Sequence, residues 1–174
     1  MSASPAAARP APNEYAPYYE GYVSLVEGDV LETLERQGAE TAALLGRLTE
    51  EQGDSRYAPG KWSVKELVGH VIDAERVFAY RALRIARGDR TPLPGFDQDP
   101  YVANSNAAGR TLPSLADEFS HVRASTLALL RSLDDAAWSR SGVASDNEVT
   151  VRALAHIIAG HETHHIKILR ERYL

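Results

Sequence analysis

Apolar residues recur every three or four positions in four long segments of the chain, which is the spacing of one face of an α-helix. No segment shows the sustained alternation of apolar and polar residues that is typical of a half-buried strand. The four segments are Asp29 to Leu48, Ser63 to Gly88, Ser114 to Leu133, and Thr150 almost to the C-terminus. The pattern predicts an all-α fold in which residues 14–174 form a four-helix bundle. Residues 1–13, rich in Ala and Pro, are predicted to be a disordered tail.

The connection between the second and third predicted helices, from Gly88 to Pro113, is the longest in the chain. Connections of this length usually have a function or are disordered. Its prolines, together with Phe96 and Tyr101, favour a loop that packs over one end of the bundle. A long crossover is also what a bundle needs when its successive helices do not alternate in direction.

Composition narrows the possible functions. The 174 residues fit one domain, 44% of them are hydrophobic, and no apolar run is long enough to span a bilayer. The net charge of −5 argues against nucleic acid as a partner. The chain has no cysteine, which excludes disulfides, thiolate metal ligands and a cysteine nucleophile. We therefore expect a soluble, cytoplasmic protein without a membrane partner.

The fourth predicted helix carries two histidines where its pattern calls for apolar residues. Its inward positions are Leu154, Ile158, His161, His165 and Leu169. Two imidazoles four residues apart project from the same helix face, which is how one helix offers two nitrogens to one metal ion. The alternative is a pair of buried histidines satisfied by hydrogen bonds, and each of them would then need a partner of its own.

His70, on the second predicted helix, is the natural third ligand. It borders the apolar stripe that contains Leu67 and Val71, and metal sites in bundles combine side chains from facing helices. Three protein ligands leave a coordination position open, as in catalytic rather than structural sites. Asp73, one turn from His70, is a candidate for supporting a ligand or for acting as a fourth one. An exposed helix carboxylate is an equally good interpretation of Asp73.

The other histidines are weaker candidates. His164 could replace His165, because a spacing of three residues from His161 also shares a helix face. His121 and His156 have no partner at ligand spacing, and we predict that both lie at the surface or at its boundary with the core.

Residues 161–165, HETHH, match the metalloprotease pattern H-E-x-x-H, in which the glutamate is a general base. The extended downstream motif with a third histidine is absent, and no strand is predicted that could bind a peptide in extended form. We therefore do not expect a protease. Glu162 is interpreted as an exposed helix carboxylate, and a role as a base beside the site is the alternative.

Two segments together resemble the DinB-like superfamily, bundle proteins first named as damage-inducible. They are APGKWSVKELVGHVIDAERVFAYRALRIARGD, residues 58–89, and VTVRALAHIIAGHETHHIKILRERY, residues 149–173. The likeness extends from about Glu14 to the last residue and includes the loop LPGFDQDPYV. It implies an up-up-down-down four-helix bundle with a long crossover between the second and third helices, often as a homodimer. It also implies a nickel, zinc or similar divalent ion on three histidines, which here are His70, His161 and His165.

The resemblance also suggests a reaction. Some DinB-like proteins are thiol-dependent S-transferases or isomerases that use bacillithiol, mycothiol or glutathione, whereas others have no known reaction. We therefore favour a metal-dependent enzyme that transfers a low-molecular-weight thiol, as co-substrate, to a small electrophile. The alternatives are metal-assisted hydrolysis of a small molecule and a non-catalytic metal-binding protein of the stress response. Trp62 and Tyr80 could line a substrate pocket, although aromatic residues at helix boundaries are more often part of the core.

Overall fold

The computed structural model describes residues 8–174 of the chain. In chain order, their helices are α1 (Glu20–Val23), α2 (Val30–Leu45), α3 (Glu50–Asp54), α4 (Val64–Ala86), α5 (Gln98–Asn104), α6 (Leu112–Arg131), α7 (Asp135–Trp138) and α8 (Val151–Ile168). Single 3-10 turns cover Pro12–Glu14, Pro17–Tyr19 and Ala107–Gly109, and a π-helical turn, Leu169–Tyr173, extends α8. The long helices α2, α4, α6 and α8 form a bundle, so the predicted all-α four-helix bundle is confirmed. Between residues 8 and 174, no helix combines the length and the apolar composition needed to cross a bilayer.

Side-chain caps set where the bundle helices begin. Ser63 and Glu66 form the predicted capping box of α4, and Thr150 caps α8 as predicted. Helix α6 begins earlier than the predicted Ser114, because the hydroxyl of Thr111 accepts a hydrogen bond from the backbone N–H of Ser114. Each cap satisfies a backbone donor that the first helical turn would otherwise leave unpaired.

The directions of the bundle helices follow from which of their ends meet. The C-terminal ends of α2 and α8 share one apolar cluster with the N-terminal ends of α4 and α6, and the opposite ends share a second cluster. The order is therefore up-down-down-up, which corrects the up-up-down-down order implied by the family resemblance. An up-up-down-down bundle needs two long crossovers. Here only the connection from α4 to α6, residues 87–111, runs the length of the bundle, so the predicted position of the crossover is confirmed.

A buried ion-pair network joins the bundle helices. The guanidinium of Arg123 donates to both carboxylate oxygens of Glu75, at 2.9 and 2.7 Å, and to Glu162 at 2.5 Å. It also donates to the backbone carbonyl of Leu34, and the hydroxyl of Thr41 donates to the other carboxylate oxygen of Glu162. All three charged side chains are buried. Their hydrogen bonds offset part of the cost of removing the charges from water.

The apolar pattern did not predict the short β-hairpin that precedes α8. Its strands, β1 (Ser141–Ala144) and β2 (Asn147–Thr150), pair antiparallel. Ser145 and Asp146 between them have positive φ angles, as the two-residue turns that match the twist of paired strands require. Each strand has four residues, which is too few for alternation to stand out in the sequence.

The crossover is tied to both the hairpin and α4. The backbone N–H of Leu93 donates to the carbonyl of Val143 in β1. The buried Arg81 of α4 donates to the carbonyl of Pro94 at 2.8 Å, and its guanidinium lies 5.8 Å from the ring centroid of Phe96. These contacts fix the position of Phe96 on the bundle.

The N-terminal segment lies against α8. Glu14 accepts hydrogen bonds from Thr150 and Arg152. Pro10 is buried, so the packed part of the chain begins before Glu14. Residues 1–7 of the predicted disordered tail lie outside the described residues.

Candidate metal centre

Three histidine side chains, the histidine triad, meet between α4 and α8. His161 and His165 lie one turn apart on α8, and His70 faces them from α4. The Nε2 atom of His161 lies 3.0 Å from that of His70 and 3.1 Å from that of His165. One nitrogen from each ring lies within 4.8 Å of the others. The structure thus brings together the three histidines that the sequence pattern singled out.

The geometry of the triad suits a metal ion. Nitrogens bound to a tetrahedral zinc ion at about 2.0–2.1 Å lie roughly 3.3 Å from one another, which is close to the separations seen here. Among the described residues, the three Nε2 atoms have hydrogen-bond partners only within the triad. An ion at their centre would replace close contacts between like nitrogen atoms with coordinate bonds.

Burial keeps the imidazoles neutral. His70 and His161 are buried and His165 is half-buried. Removal from water lowers the pKa of His70 to about 4 and, together with the neighbouring imidazoles, lowers the pKa of His165 to about 3. Burial, and then the other histidines, hold the pKa of His161 well below its usual range. Neutral imidazole is the form that binds a metal ion, so the triad could bind one at neutral pH without first releasing protons.

Two cavities flank the triad and share Gln98. The aromatic cavity, of about 320 Å³, is lined by His70, His161, Gln98, Asp97 and five aromatic side chains, Tyr18, Tyr19, Tyr22, Phe78 and Phe96. The Trp62 cavity, of about 360 Å³, is lined by His165, Gln98, Trp62, Tyr57, Lys61, Asp99, Tyr173 and three apolar or small residues, Gly60, Leu67 and Ile168. Both fall in the size range of small-molecule sites, roughly 300–1,000 Å³. The triad therefore lies between two spaces that could each hold a small molecule.

Aromatic rings pack on the triad from the outside. The ring centroid of Trp62 lies 4.9 Å from that of His70, and the ring centroid of Tyr22 lies 5.4 Å from that of His161. Tyr22 comes this close because α1 approaches α8 at Gly160. A methyl group placed on Gly160 would lie 2.0 Å from the carbonyl oxygen of Tyr22, so no larger residue allows this approach. These contacts hold the imidazole rings in position.

His164 is not part of the triad. Its half-buried ring packs against Tyr22, with ring centroids 5.3 Å apart. On α8 it is His165, and not His164, whose nitrogen approaches His161. The geometry therefore favours His165 over its alternative.

The two remaining histidines differ from each other. His121 is exposed, as predicted. His156 is buried, which corrects its predicted place at the surface or boundary. Its Nδ1 atom lies 3.0 Å from the carbonyl oxygen of Arg152 on the preceding turn, so a local hydrogen bond makes its burial possible.

Asp73 and Glu162 also lie away from the triad. Asp73 lines a different cavity, where its carboxylate lies 3.7 Å from the guanidinium of Arg76. The structure therefore does not show the predicted role of Asp73 in supporting a metal ligand. Glu162 is buried, which corrects the prediction of an exposed carboxylate. Burial raises its pKa even though Arg123 opposes the shift. Glu162 borders a larger cavity, of about 420 Å³, that has no triad histidine in its lining.

Sequence reasoning missed most of the residues that surround the triad. Of the two aromatic residues considered as pocket residues, Trp62 lines a cavity at the triad. Tyr80 is exposed and lies outside both cavities. The tyrosines of residues 18–22, YYEGY, and the FDQD sequence of residues 96–99 supply most of the lining of the aromatic cavity. Their concentration of aromatic and amide side chains was the signal, but neither segment lies on a predicted bundle helix.

Comparisons with known proteins agree with this architecture. A protein of Oceanobacillus iheyensis, described as a candidate metal-dependent hydrolase, is 25% identical over 121 residues, 68% of this chain and 69% of the relative. A protein of Bacillus pumilus with the same description is 28% identical over 131 residues, 74% of each chain. The solved structure of YfiT from Bacillus subtilis, described as a probable metal-dependent hydrolase with an unusual four-helix bundle topology, matches 82% of both chains with a TM-score of 0.73 at 21% identity. The DinB superfamily profile matches residues 33–169. The chain therefore belongs to the DinB superfamily.

Proposed function

We propose that His70, His161 and His165 hold one divalent metal ion and that the protein is a metal-dependent enzyme acting on small molecules. The descriptions of the relatives from O. iheyensis and B. pumilus support metal dependence, as does the convergence of three neutral imidazoles. Imidazole nitrogens suit zinc and nickel. Three protein ligands leave room in the coordination sphere for a substrate.

Within this class, we propose the transfer of a low-molecular-weight thiol to a small electrophile. A divalent ion held by the triad would favour the thiolate form of a thiol bound to it, and a thiolate is a good nucleophile near neutral pH. The thiol must come from outside, because the chain has no cysteine. The observation that carries the proposal is the pair of cavities at the triad, since a transfer needs two small molecules beside one reactive centre.

The charged residues suggest which cavity takes the thiol. Lys61 and Asp99 border the Trp62 cavity. Thiols of the glutathione type carry both carboxylate and amino groups, which could pair with these two side chains. Gln98 borders both cavities, and its amide can donate to one substrate and accept from the other.

Hydrolysis is the second candidate, favoured by the descriptions of the relatives. It normally requires a general base beside the attacking water. Arg123 holds Glu162 in the core, and Asp97 accepts a hydrogen bond from the backbone N–H of Asp99 at the start of α5. Two exposed carboxylates are then the candidates for the base, Asp97 at the aromatic cavity and Asp99 at the Trp62 cavity.

Two assays on tag-free protein loaded with zinc or nickel separate these candidates. One measures the loss of free bacillithiol, mycothiol or glutathione with a panel of electrophiles, and the other measures ester and amide hydrolysis without thiol. We expect thiol consumption by wild type and by His121→Ala, but not by His161→Ala. If only hydrolysis is observed, the second candidate, hydrolysis, replaces thiol transfer as the proposed reaction. Neither activity in metal-loaded protein would point to the non-catalytic, stress-response alternative.

We further propose that the protein is a homodimer, as the resemblance to DinB-like proteins implies. Exposed apolar side chains on α4, Tyr80 and Leu83, offer a surface for such a contact. Sedimentation that gives the mass of a single chain at micromolar concentration would contradict it. The cytoplasmic location stays a prediction.

A further inference from the structure

Five aromatic rings form one continuous wall of the aromatic cavity. Ring centroids are 5.1 Å apart between Tyr18 and Tyr19, 6.0 Å between Tyr19 and Phe78, and 6.4 Å between Phe78 and Phe96. Tyr22 completes this wall, and its ring centroid lies 5.4 Å from that of His161. A molecule in this cavity would therefore meet aromatic surface on several sides and the triad on another.

The rings are fixed before any ligand binds. Glu14 pairs with Arg152 at 2.5 Å, and Gly160 admits α1 close to α8, so the three tyrosines are held on the bundle. The contacts of Arg81 hold Phe96 from the other side. A pre-arranged cavity loses less conformational freedom on binding than one that must assemble around its ligand.

The charges around the cavity favour a neutral ligand. Among the described residues, no lysine or arginine lines it, so an anionic group would find no partner side chain there. Its one carboxylate, Asp97, already accepts a hydrogen bond from the backbone of Asp99. Aromatic cages can also bind organic cations. Here, however, the divalent ion proposed for His70 and His161 would repel such a cation, and the carboxylate of Asp97 on the same cavity would repel an anion drawn toward that ion.

We infer that the aromatic cavity binds a neutral, planar aromatic group and that this group belongs to the electrophilic substrate. The second half of this inference rests on the proposed function, whereas the first half can be tested without any reaction. Aromatic rings attract one another in edge-to-face and offset arrangements beyond the gain from burial alone. The cavity should therefore prefer a flat ring to a saturated ring of the same size, and Gln98 could bind a polar substituent of that ring.

Benzyl alcohol and cyclohexylmethanol are matched neutral probes that differ only in whether the ring is aromatic. Binding of each to zinc-loaded protein would be measured by ligand-observed NMR titration. We expect benzyl alcohol to bind at least several-fold more tightly. Equal affinities would overturn the inference, as would tighter binding of benzyltrimethylammonium, which would mark the cavity as a cation site.

Variants locate the bound ring. Tyr18 is largely exposed, so Tyr18→Leu should fold normally, and Phe96→Leu removes a second, half-buried ring. Each should weaken benzyl alcohol binding by roughly twofold to tenfold. Tyr57→Leu removes a ring from the Trp62 cavity and should leave the affinity unchanged. If only Tyr57→Leu weakens binding, the ligand lies in the Trp62 cavity, and the inference is overturned. Because no thiol is present, these titrations can succeed even if thiol transfer fails, and the reverse is also true.

Discussion

His161 lies between the other two histidines of the triad, and its Nε2 atom makes both of the short nitrogen–nitrogen contacts. Without it, His70 and His165 remain on different helices with no central ligand. We predict that His161→Ala abolishes stoichiometric binding of zinc or nickel, as does His165→Ala. His70→Ala should weaken binding strongly but leave the pair on α8, which can still hold an ion loosely. Calorimetric titration of metal-free protein measures all three affinities.

Two other histidines provide the controls for this prediction. His121→Ala changes an exposed residue of α6 and should bind metal like wild type. His164→Ala should also keep its metal, because the ring of His164 packs beside those of His165 and Tyr22 but its nitrogens are not among those that converge in the triad. Full metal content in His165→Ala would contradict the assignment and move the ligand to His164.

Neutral, buried histidines should make the metal-free protein sensitive to acid. A histidine in the unfolded chain titrates near a pKa of about 6.5, whereas burial lowers the pKa of His70 to about 4 and that of His165 to about 3. Between these values the unfolded chain binds more protons than the folded one. The stability that the neutral rings contribute is therefore complete above a pH of about 6.5 and is lost as the pH falls toward the folded pKa values.

We predict that the free energy of unfolding of metal-free protein falls between about pH 7 and 5, by up to about 1.4 kcal/mol per pH unit for each ring. Urea titrations with a chelator present measure this slope. His70→Leu removes one of the rings and should show a shallower slope than wild type, whereas His121→Leu should not. Identical slopes in all three proteins would show that His70 titrates normally.

At the residue scale, the sequence predicts the triad because His161 and His165 occupy positions where the helical pattern calls for apolar side chains. The same pattern misplaces His156 and Glu162. Glu162 can be buried because Arg123 pairs with it. Arg123 lies 39 residues away on another helix, so the local pattern around Glu162 gives no sign of this partner. A pattern that records only polarity cannot distinguish a polar residue with a buried partner from one in water.

At the scale of elements, the packing of α1 on α8 depends on one glycine. A methyl group on Gly160 would overlap the backbone of Tyr22, which cannot move without shifting α1. We predict that Gly160→Ala lowers the free energy of unfolding by about 1–3 kcal/mol, the usual cost of overpacking. Urea denaturation measures the loss.

Gly21→Ala is the matched control for this variant. Gly21 lies in α1, and a methyl group there would meet nothing within 4 Å. The substitution should be neutral or slightly stabilising, because alanine restricts the unfolded chain more than glycine does. Equal losses of stability in the two variants would mean that α1 does not pack closely on α8.

The ion-pair network gives a second prediction at this scale. Arg123→Met would leave Glu75 and Glu162 buried without their cation, so we expect a loss of about 3–5 kcal/mol in the free energy of unfolding. Arg131→Met, on the same helix, breaks a pair with Glu35 whose side chains are 49% and 63% exposed. Exposed pairs contribute about 0–1 kcal/mol. Similar losses in the two variants by urea denaturation would contradict the central role of Arg123.

The four bundle helices were predictable because each spans several turns, so its periodicity stands out from the background. Helices α1 and α5 and each strand of the hairpin have seven residues or fewer, and no period can be recognised over such lengths. Helix direction was not predictable from loop length either. The connection of residues 46–63 folds back through α3 at one end of the bundle, whereas that of residues 87–111 runs along it.

At the scale of the whole molecule, the candidate site joins parts of the chain that are far apart in sequence. The N-terminal tyrosines, α4, the crossover and α8 all contribute walls to the cavities at the triad. A metal ion bound to the triad would cross-link α4 and α8 in the middle of this assembly. Its binding energy would then add to the stability of the entire fold, because the unfolded chain has no preformed site.

The last prediction measures this link between metal and fold. A ligand that binds only the folded state stabilises it by about 2.7 kcal/mol at 100 times its dissociation constant. For a domain of this size, that corresponds to about 5–10 °C in Tm. Chelation of the metal-loaded protein at about pH 8 should lower Tm by that amount without unfolding it at room temperature, because both apolar clusters remain. The difference should persist at about pH 5.5, since the folded pKa of His70 is about 4. His161→Ala should show no response to the chelator. If metal-loaded wild type also shows none at about pH 8, the triad does not bridge α4 and α8 through an ion.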